Sequence, residues 1–277
     1  MCRWLAYWGT PVLLEDILYK PSHSLIDQSL HSKLGVETTN GDGFGVGWYS
    51  PESNVPALLR DVGPAWSNRN LRELADHVRS PLFFAHIRAS TGSAIQQSNC
   101  HPFRHGRWMF MHNGAIAGYP LMRRDLTMLV DPALYADMEG TTDSEVMFYL
   151  ALTYGLDRDP PAAVAAMAGA VERIAGEHGV EFPLQMTIAL TDGTRVWAFR
   201  YSTAQASRSL FYSAQPDALR RLHPDNAFLK EISDDTRLVV SEPLGDLPEA
   251  WVEVPENTYG VVQPGEDEIH RFAPTMA

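Results

Sequence analysis

Hydrophobic and polar residues alternate along this chain in blocks that predict mixed strands and helices in the first half. Trp4-Leu5-Ala6-Tyr7-Trp8 is a continuous apolar run closed by Gly9 and Pro11, and predicts a short buried strand over residues 2–8. Gly41-Asp42-Gly43-Phe44-Gly45-Val46-Gly47-Trp48-Tyr49 predicts a glycine-rich turn running into a strand. From Asn68 to Arg79 the apolar residues Leu71, Leu74, Ala75 and Val78 recur at helical spacing, with Asn68 or Asn70 as the N-cap. Residues 82–88 and 107–113 read as strands that end in polar side chains, His86-Ile87-Arg88 and His112-Asn113, which puts reactive groups at the edge of a sheet. Thr142 followed by Glu145 has the spacing of a capping box ahead of the apolar run Val146–Leu150. Pro160 or Pro161 opens the next helix, which carries Val164, Met167, Ala168, Val171 and Ile174.

Beyond that helix the period changes. Strands are predicted at 184–191, 194–201, 209–214, 236–241, 251–254 and 258–263, with Asp192-Gly193 as a hairpin turn between the first two. This order predicts an antiparallel meander at the end of the chain. No repeat, low-complexity tract or linker interrupts it, so the expectation is a single α+β domain over residues 1–277.

Composition narrows the function. The formal charge of −12 supplies no basic surplus to neutralise phosphates, which argues against nucleic acid or an anionic membrane as the main partner. An anionic substrate would therefore need particular arginines. Two cysteines, Cys2 and Cys100, do not make a disulfide scaffold. Leu5-Ala6-Tyr7-Trp8 is too short for the apolar core of a signal peptide, and no run reaches the roughly 20 residues of a membrane span; the expected location is cytoplasmic.

The most informative residue is Cys2. Removal of Met1 would leave it a free α-amine, whose ordinary pKa of about 7.7–8.0 lets it act as a base beside its own thiol. A second-position cysteine is also commonly a small buried hydrophobe, so the remaining motifs must decide. Four segments stand out: Asn40–Gly47, His86-Ile87-Arg88, His112-Asn113-Gly114 and Thr141-Thr142-Asp143. Taken singly, each has an ordinary structural role. The glycines at 41, 43, 45 and 47 do not match phosphate-loop spacing, Asn-Gly is a common turn, and an Asp in a first helical turn stabilises the helix dipole. His86, His101 and His112 lack metal-ligand spacing and read as strand-end histidines bonded to backbone; no metal or cofactor is expected. Cys100 and His101 are neighbours on an extended segment and point opposite ways, so they do not form a nucleophile pair.

In order and spacing, these segments together resemble the glutaminase domain of class II glutamine amidotransferases, which are N-terminal-nucleophile hydrolases. Met1-Cys2-Arg3, His101-Pro102-Phe103 and Ser241-Glu242-Pro243-Leu244 resemble its small stand-alone branch, which includes the γ-glutamyl amidohydrolase of ergothioneine biosynthesis. The resemblance covers most of the chain, tightly to about residue 150.

It implies an αββα sandwich of two mainly antiparallel sheets between helical layers. It also implies Cys2 as nucleophile, forming a thioester, and Asn113 and Gly114 as oxyanion donors. Arg88 would bind a substrate α-carboxylate and Asp143 its α-ammonium, with Thr91 contacting substrate and Asp42 and Gly43 shaping the wall. Thr39 stands where many members have an arginine, which disfavours a synthase, and Gly92 where the synthases have a histidine, which leaves room for a substrate larger than glutamine; the expected substrate is glutamine or a small γ-glutamyl pathway intermediate. A homo-oligomer, or a separate synthase subunit receiving ammonia, stays open. So does a non-catalytic γ-glutamyl-binding or regulatory module, which retention of Met1 would favour.

Overall fold

The computed structural model describes residues 2–34, 39–90, 93–265 and 267–275. The first half runs β1 (Arg3–Leu13), α1 (Leu14–Leu18), α2 (Leu25–Leu30), β2 (Phe44–Ser50), β3 (Ser53–Asp61), α3 (Arg69–His77), β4 (Arg79–Ile87), β5 (Phe103–His105) and β6 (Trp108–Ile116). Next come the helices α4 (Tyr119–Thr127), α5 (Pro132–Tyr135), α6 (Asp143–Thr153) and α7 (Pro160–Glu177). The last part runs β7 (Leu184–Thr191), β8 (Val196–Ser202), β9 (Phe211–Ser213), α8 (Pro216–Leu222), α9 (Ala227–Glu231), β10 (Arg237–Val240), β11 (Trp251–Glu253), β12 (Thr258–Val262) and β13 (Glu268–Arg271).

These strands form two antiparallel sheets. One has the order β11-β9-β10-β1-β4-β2-β3, the other β13-β12-β8-β7-β6-β5. The predicted strands after residue 184 all exist, but they are not one meander. β9, β10 and β11 return to the first sheet, where β10 pairs with β1 through Leu5↔Val240, while β7, β8 and β12 extend the second.

Alternation along each strand creates three apolar layers. On β1 and β4, Leu5, Tyr7, Phe83 and Ala85 face α1, α2 and α3, whereas Trp4, Ala6, Leu82 and Phe84 face the second sheet. On β6 to β8, Met109, Met111, Ala189 and Ala198 meet them from the other side, and Phe110, Ile188, Trp197 and Phe199 face α4, α6 and α7. The result is the four-layer αββα sandwich expected of an N-terminal-nucleophile hydrolase. Helix α6 is buried continuously from Ser144 to Ala151, which explains its unbroken apolar run. Asn68 caps α3 by accepting from Leu71 N at 2.8 Å. Thr142 caps α6 by accepting from Glu145 N at 3.2 Å, but the reciprocal half of the box is absent: the Glu145 carboxylate instead takes Glu139 N at 2.9 Å and Gly140 N at 2.7 Å.

Among the described residues no helix is long and apolar enough to cross a membrane.

Candidate active site

The candidate residues lie where the start of β1, the entry to β2 and the ends of β4 and β6 meet. Register brings them there. Arg3 pairs with Ile87 across β1 and β4, and Phe44 pairs with Ile87 from the other side, so Cys2, Gly43 and Arg88 follow one another across three adjacent strands. Arg88 N donates to Gly43 O at 2.8 Å and Asp42 N to Arg88 O at 3.1 Å. The Asp42 carboxylate accepts from Ser90 N at 2.8 Å, fixing the chain just past Arg88.

Cys2 is half-buried. Its Sγ lies 3.3 Å from Ala89 N, which donates to it, and 3.4 Å from Ala89 O. Burial pushes the thiol pKa up, against the Ala89 backbone and the Arg88 and Arg3 charges, which pull it down. A thiol in that state is protonated near neutrality and needs a base before it attacks. The Cys2 carbonyl accepts from Asn113 Nδ2 at 2.9 Å and from Arg3 Nη1 at 2.9 Å. A residue 111 positions away on the second sheet thus points its amide at the backbone of Cys2.

Gly114 follows Asn113 with φ +146°, and a Cβ there would fall 1.8 Å from Gln185 O and 2.6 Å from His112 Nε2. Only glycine fits so close to the neighbouring strand. The regular glycines of β2 have a related cause. Added Cβ atoms would lie 2.7 Å from Cys100 Sγ at Gly43, 2.2 Å from His101 O at Gly45 and 2.4 Å from Met109 Sδ at Gly47. Their spacing of two is a strand face stripped of side chains so that residues 100–109 can press against it, not a phosphate loop.

Arg88 is buried at 4% exposure, and among the described residues no carboxylate pairs with it. Nη1 donates to Asp42 O at 3.3 Å, and Nη2 meets Ser93 Oγ at 2.7 Å, Ala94 O at 3.0 Å and Ser90 Oγ at 3.2 Å. A buried guanidinium surrounded only by neutral oxygens is a strong anion receptor. The bidentate fork is not open, however, because an incoming carboxylate must compete with two serine hydroxyls. Asp143, in the first turn of α6, accepts from Ile116 N at 2.8 Å and Ser144 N at 2.8 Å, which ties it to the end of β6 beyond Gly114. Thr91, expected to contact substrate, and Gly92 lie outside the described residues.

The three buried histidines differ from the expectation that all bond backbone. His112 does, through Nε2 to Gln185 O at 3.3 Å, and the His112 backbone also lies close enough to the His86 ring to raise its pKa against the burial that lowers it. Because the Gln185 carbonyl can only accept, Nε2 of His112 carries the proton and the Ser144 hydroxyl donates to Nδ1 over 2.8 Å. His86 bonds a side chain instead, Asn113 Oδ1 at 3.3 Å, and neither ring nitrogen of His101 has a partner among the described residues. Among the described residues no group of three acidic, histidine or cysteine side chains is arranged to hold a metal ion.

Sequence reading missed the clasp behind Cys2. Arg3 and Glu242 are both buried, with Nε donating to Oε2 at 2.7 Å. The same carboxylate accepts from Lys33 N at 2.8 Å, Leu34 N at 3.0 Å, Ser32 Oγ at 3.2 Å and His23 Nε2 at 2.5 Å. Ser241 completes the hold: its Oγ accepts from Trp4 N at 2.9 Å and its N donates to Trp4 O at 3.0 Å. The motif Ser241-Glu242 therefore anchors residues 2–4 from the far end of the chain. An arginine inside an otherwise apolar first strand was the available signal, since a buried cation demands a carboxylate.

Comparison with known proteins follows the same outline. The family model for class II glutamine amidotransferases matches residues 18–276, beginning after Cys2. The chain is 34% identical over 295 residues to the probable glutamine amidotransferase DUG3 of Saccharomyces cerevisiae, covering 93% of this chain and 80% of that one. It is 28% identical over 261 residues to the γ-glutamyl-hercynylcysteine sulfoxide hydrolase of Mycolicibacterium smegmatis, covering 92% and 93% of the two chains. Its fold superposes on a glutamine aminotransferase class-II domain protein from Silicibacter pomeroyi with a TM-score of 0.74 at 33% identity, over 99% of this chain and 100% of that one. By sequence along nearly its whole length and by fold, this chain belongs to the class II glutamine amidotransferases.

Proposed function

We propose that this protein is a single-domain γ-glutamyl amidohydrolase that works through Cys2 as an N-terminal nucleophile. The observation that carries the reading is the bond from Asn113 Nδ2 to the Cys2 carbonyl, made while Cys2 Sγ rests on the residue next to Arg88. After loss of Met1, the Cys2 α-amine takes the thiol proton and the sulfur attacks the γ-carbonyl carbon. Asn113 Nδ2 and the Gly114 N–H stabilise the oxyanion of the tetrahedral intermediate. The C–N bond then breaks, the amine leaves with the proton returned by the α-amine, and water cleaves the thioester to give glutamate and the free thiol.

Recognition of the glutamyl head group falls to Arg88 for the α-carboxylate and Asp143 for the α-ammonium, with Asp42 and Gly43 as the wall beside them. Two relatives support a γ-glutamyl or glutamine substrate by their names alone, and the one named for hydrolysis acts on a γ-glutamyl pathway compound. Water as final acceptor is the reading favoured by Thr39 and Gly92, which depart from the residues that synthases carry at the matching positions.

The test is mass spectrometry after brief exposure to 6-diazo-5-oxo-L-norleucine, a reactive glutamine analogue. The expected result is loss of Met1 and one adduct on Cys2, absent in Cys2→Ala and slowed by excess γ-glutamyl substrate. Retained Met1 with no adduct would withdraw the mechanism in favour of a binding module. Glutamine turnover only in the presence of an added synthase subunit would replace hydrolysis with ammonia delivery.

A further inference from the structure

We propose that His86 is a positioning residue for catalysis, holding the Asn113 amide so that its nitrogen, not its oxygen, faces the nucleophile. The inference rests on the reading of Asn113 as an oxyanion donor and concerns what makes that donor point the right way. A carboxamide is nearly symmetric in shape, so packing alone does not choose between its two orientations. The wrong one would set Oδ1 against the developing negative charge.

Two contacts make the choice. The Cys2 carbonyl has only lone pairs and must take the Nδ2 side, at 2.9 Å. At the other end, Oδ1 lies 3.3 Å from His86 Nε2 and can only accept, so His86 carries its proton on Nε2. Rotating the amide would place oxygen against oxygen at Cys2 and force His86 to move its proton to Nδ1, where no acceptor bonds it among the described residues. With both ends held, one hydrogen of Nδ2 binds the Cys2 carbonyl and the other is left for substrate.

His86 is neutral, and its contact with Oδ1 is what selects the Nε2 tautomer. It is 0% exposed, and burial drives its pKa down to about 3, so it stays neutral with one proton. Its Nδ1 makes no hydrogen bond among the described residues, although the His112 backbone lies near enough to the ring to pull its pKa up. The ring is held by packing instead. His101 lies against it at 4.3 Å between centroids and 34° between planes, and Phe103 backs His101 at 4.5 Å. The unpartnered nitrogens of His101 fit this role, in which the ring acts as a flat wall and not as a hydrogen-bonding group.

The experiment measures kcat and KM for hydrolysis of L-glutamine or γ-glutamyl-p-nitroanilide by His86→Leu, His86→Gln, Asn113→Ala and the Asn113→Ala/His86→Leu double variant. Loss of a full oxyanion donor typically costs about 10²–10³ in kcat, so a donor that is present but unaimed should cost about 10–100-fold. His86→Leu should show that loss in kcat with KM within about threefold, because the oxyanion forms only after attack. His86→Gln, whose side-chain N–H reaches the Nε2 position, should recover most of the rate. On the Asn113→Ala background, His86→Leu should cost nothing further, since no amide remains to be aimed.

A folded His86→Leu with wild-type kcat, beside an impaired Asn113→Ala, would overturn the inference while leaving the oxyanion reading intact. An equal loss from His86→Leu with and without Asn113 would overturn it too, by making His86 merely structural. Wild-type kcat in Asn113→Ala would remove the oxyanion reading itself, and the inference with it. If His86→Leu does not fold, His86→Asn replaces it: the inference requires Gln to exceed Asn, whose shorter amide does not reach Oδ1, and equal rates would refute it.

Discussion

Replacement of Gly114 by alanine tests whether the end of β6 is set by the approach of the neighbouring strand. The added Cβ would lie 1.8 Å from the Gln185 carbonyl oxygen and 2.6 Å from His112 Nε2, at a φ of +146° that side-chain-bearing residues rarely adopt. Ordinary contact needs more than 3 Å, so one of the two strands must move by over an ångström. Neither moves freely, because β6 and β7 pair from Met109↔Thr191 to Ile116↔Leu184 without a register shift. Backbone strain of about 1–3 kcal/mol and overpacking of about 1–3 kcal/mol add to a loss of roughly 2–6 kcal/mol. For a chain of this size that lowers Tm by about 5–15 °C.

The catalytic cost should be larger than the stability cost. Asn113 and the Gly114 N–H ride on the displaced peptide, and misplacement by about 1 Å is worth about 10²-fold in rate. Differential scanning fluorimetry and steady-state hydrolysis of a γ-glutamyl amide, run on the same preparation below its Tm, give both numbers. A Gly114→Ala protein with Tm within about 1 °C of wild type and kcat within about twofold would refute the close-approach argument and the role of this peptide in the oxyanion site.

Two further variants probe the supports of the site. Glu242→Gln removes the anion facing the buried Arg3 guanidinium and should cost about 3–5 kcal/mol at pH 7, read by urea unfolding. Burial would push the Glu242 carboxyl up, but Lys33 N–H, the Arg3 charge, Leu34 N–H and His23 outweigh it and hold its pKa below the ordinary value. A carboxyl held low contributes stability above its unfolded pKa of about 4.3 and loses it as pH falls through the lower folded value. The gap between wild type and Glu242→Gln should therefore be full above about pH 5 and shrink only in stronger acid; a gap independent of pH would mean that the charge does not matter. Arg88→Lys should raise KM by about tenfold or more with a smaller effect on kcat, because an ammonium cannot reach Ser90, Ser93, Ala94 and Asp42 and still meet a carboxylate. An unchanged KM would put the carboxylate site elsewhere.

Strongly periodic and capped elements were legible from sequence, whereas β3, α1, α2, α4 and the short helices α8 and α9 were not. Apolar alternation reports which face of a strand is buried, and caps such as Asn68 and Thr142 act within three residues, so both are legible without a structure. The family was legible from the order and spacing of the motifs around Cys2, Arg88, Asn113 and Asp143, which the fold brings to one place. Tertiary structure alone decided what each buried face meets. The late strands divide between two sheets because Val240 finds Leu5 while Val262 finds Val196, a choice among apolar partners that periodicity does not encode. The glycine spacing of β2 became intelligible only with residues 100–109 lying against it, and Glu145 left its expected cap for Glu139 and Gly140 once that loop came within reach. Arg3 and Glu242 stand 239 positions apart, and His86 and Asn113 sit on different sheets. Such partners are fixed by the desolvation cost of leaving a buried charge or amide unmet, which acts only when the whole chain has folded.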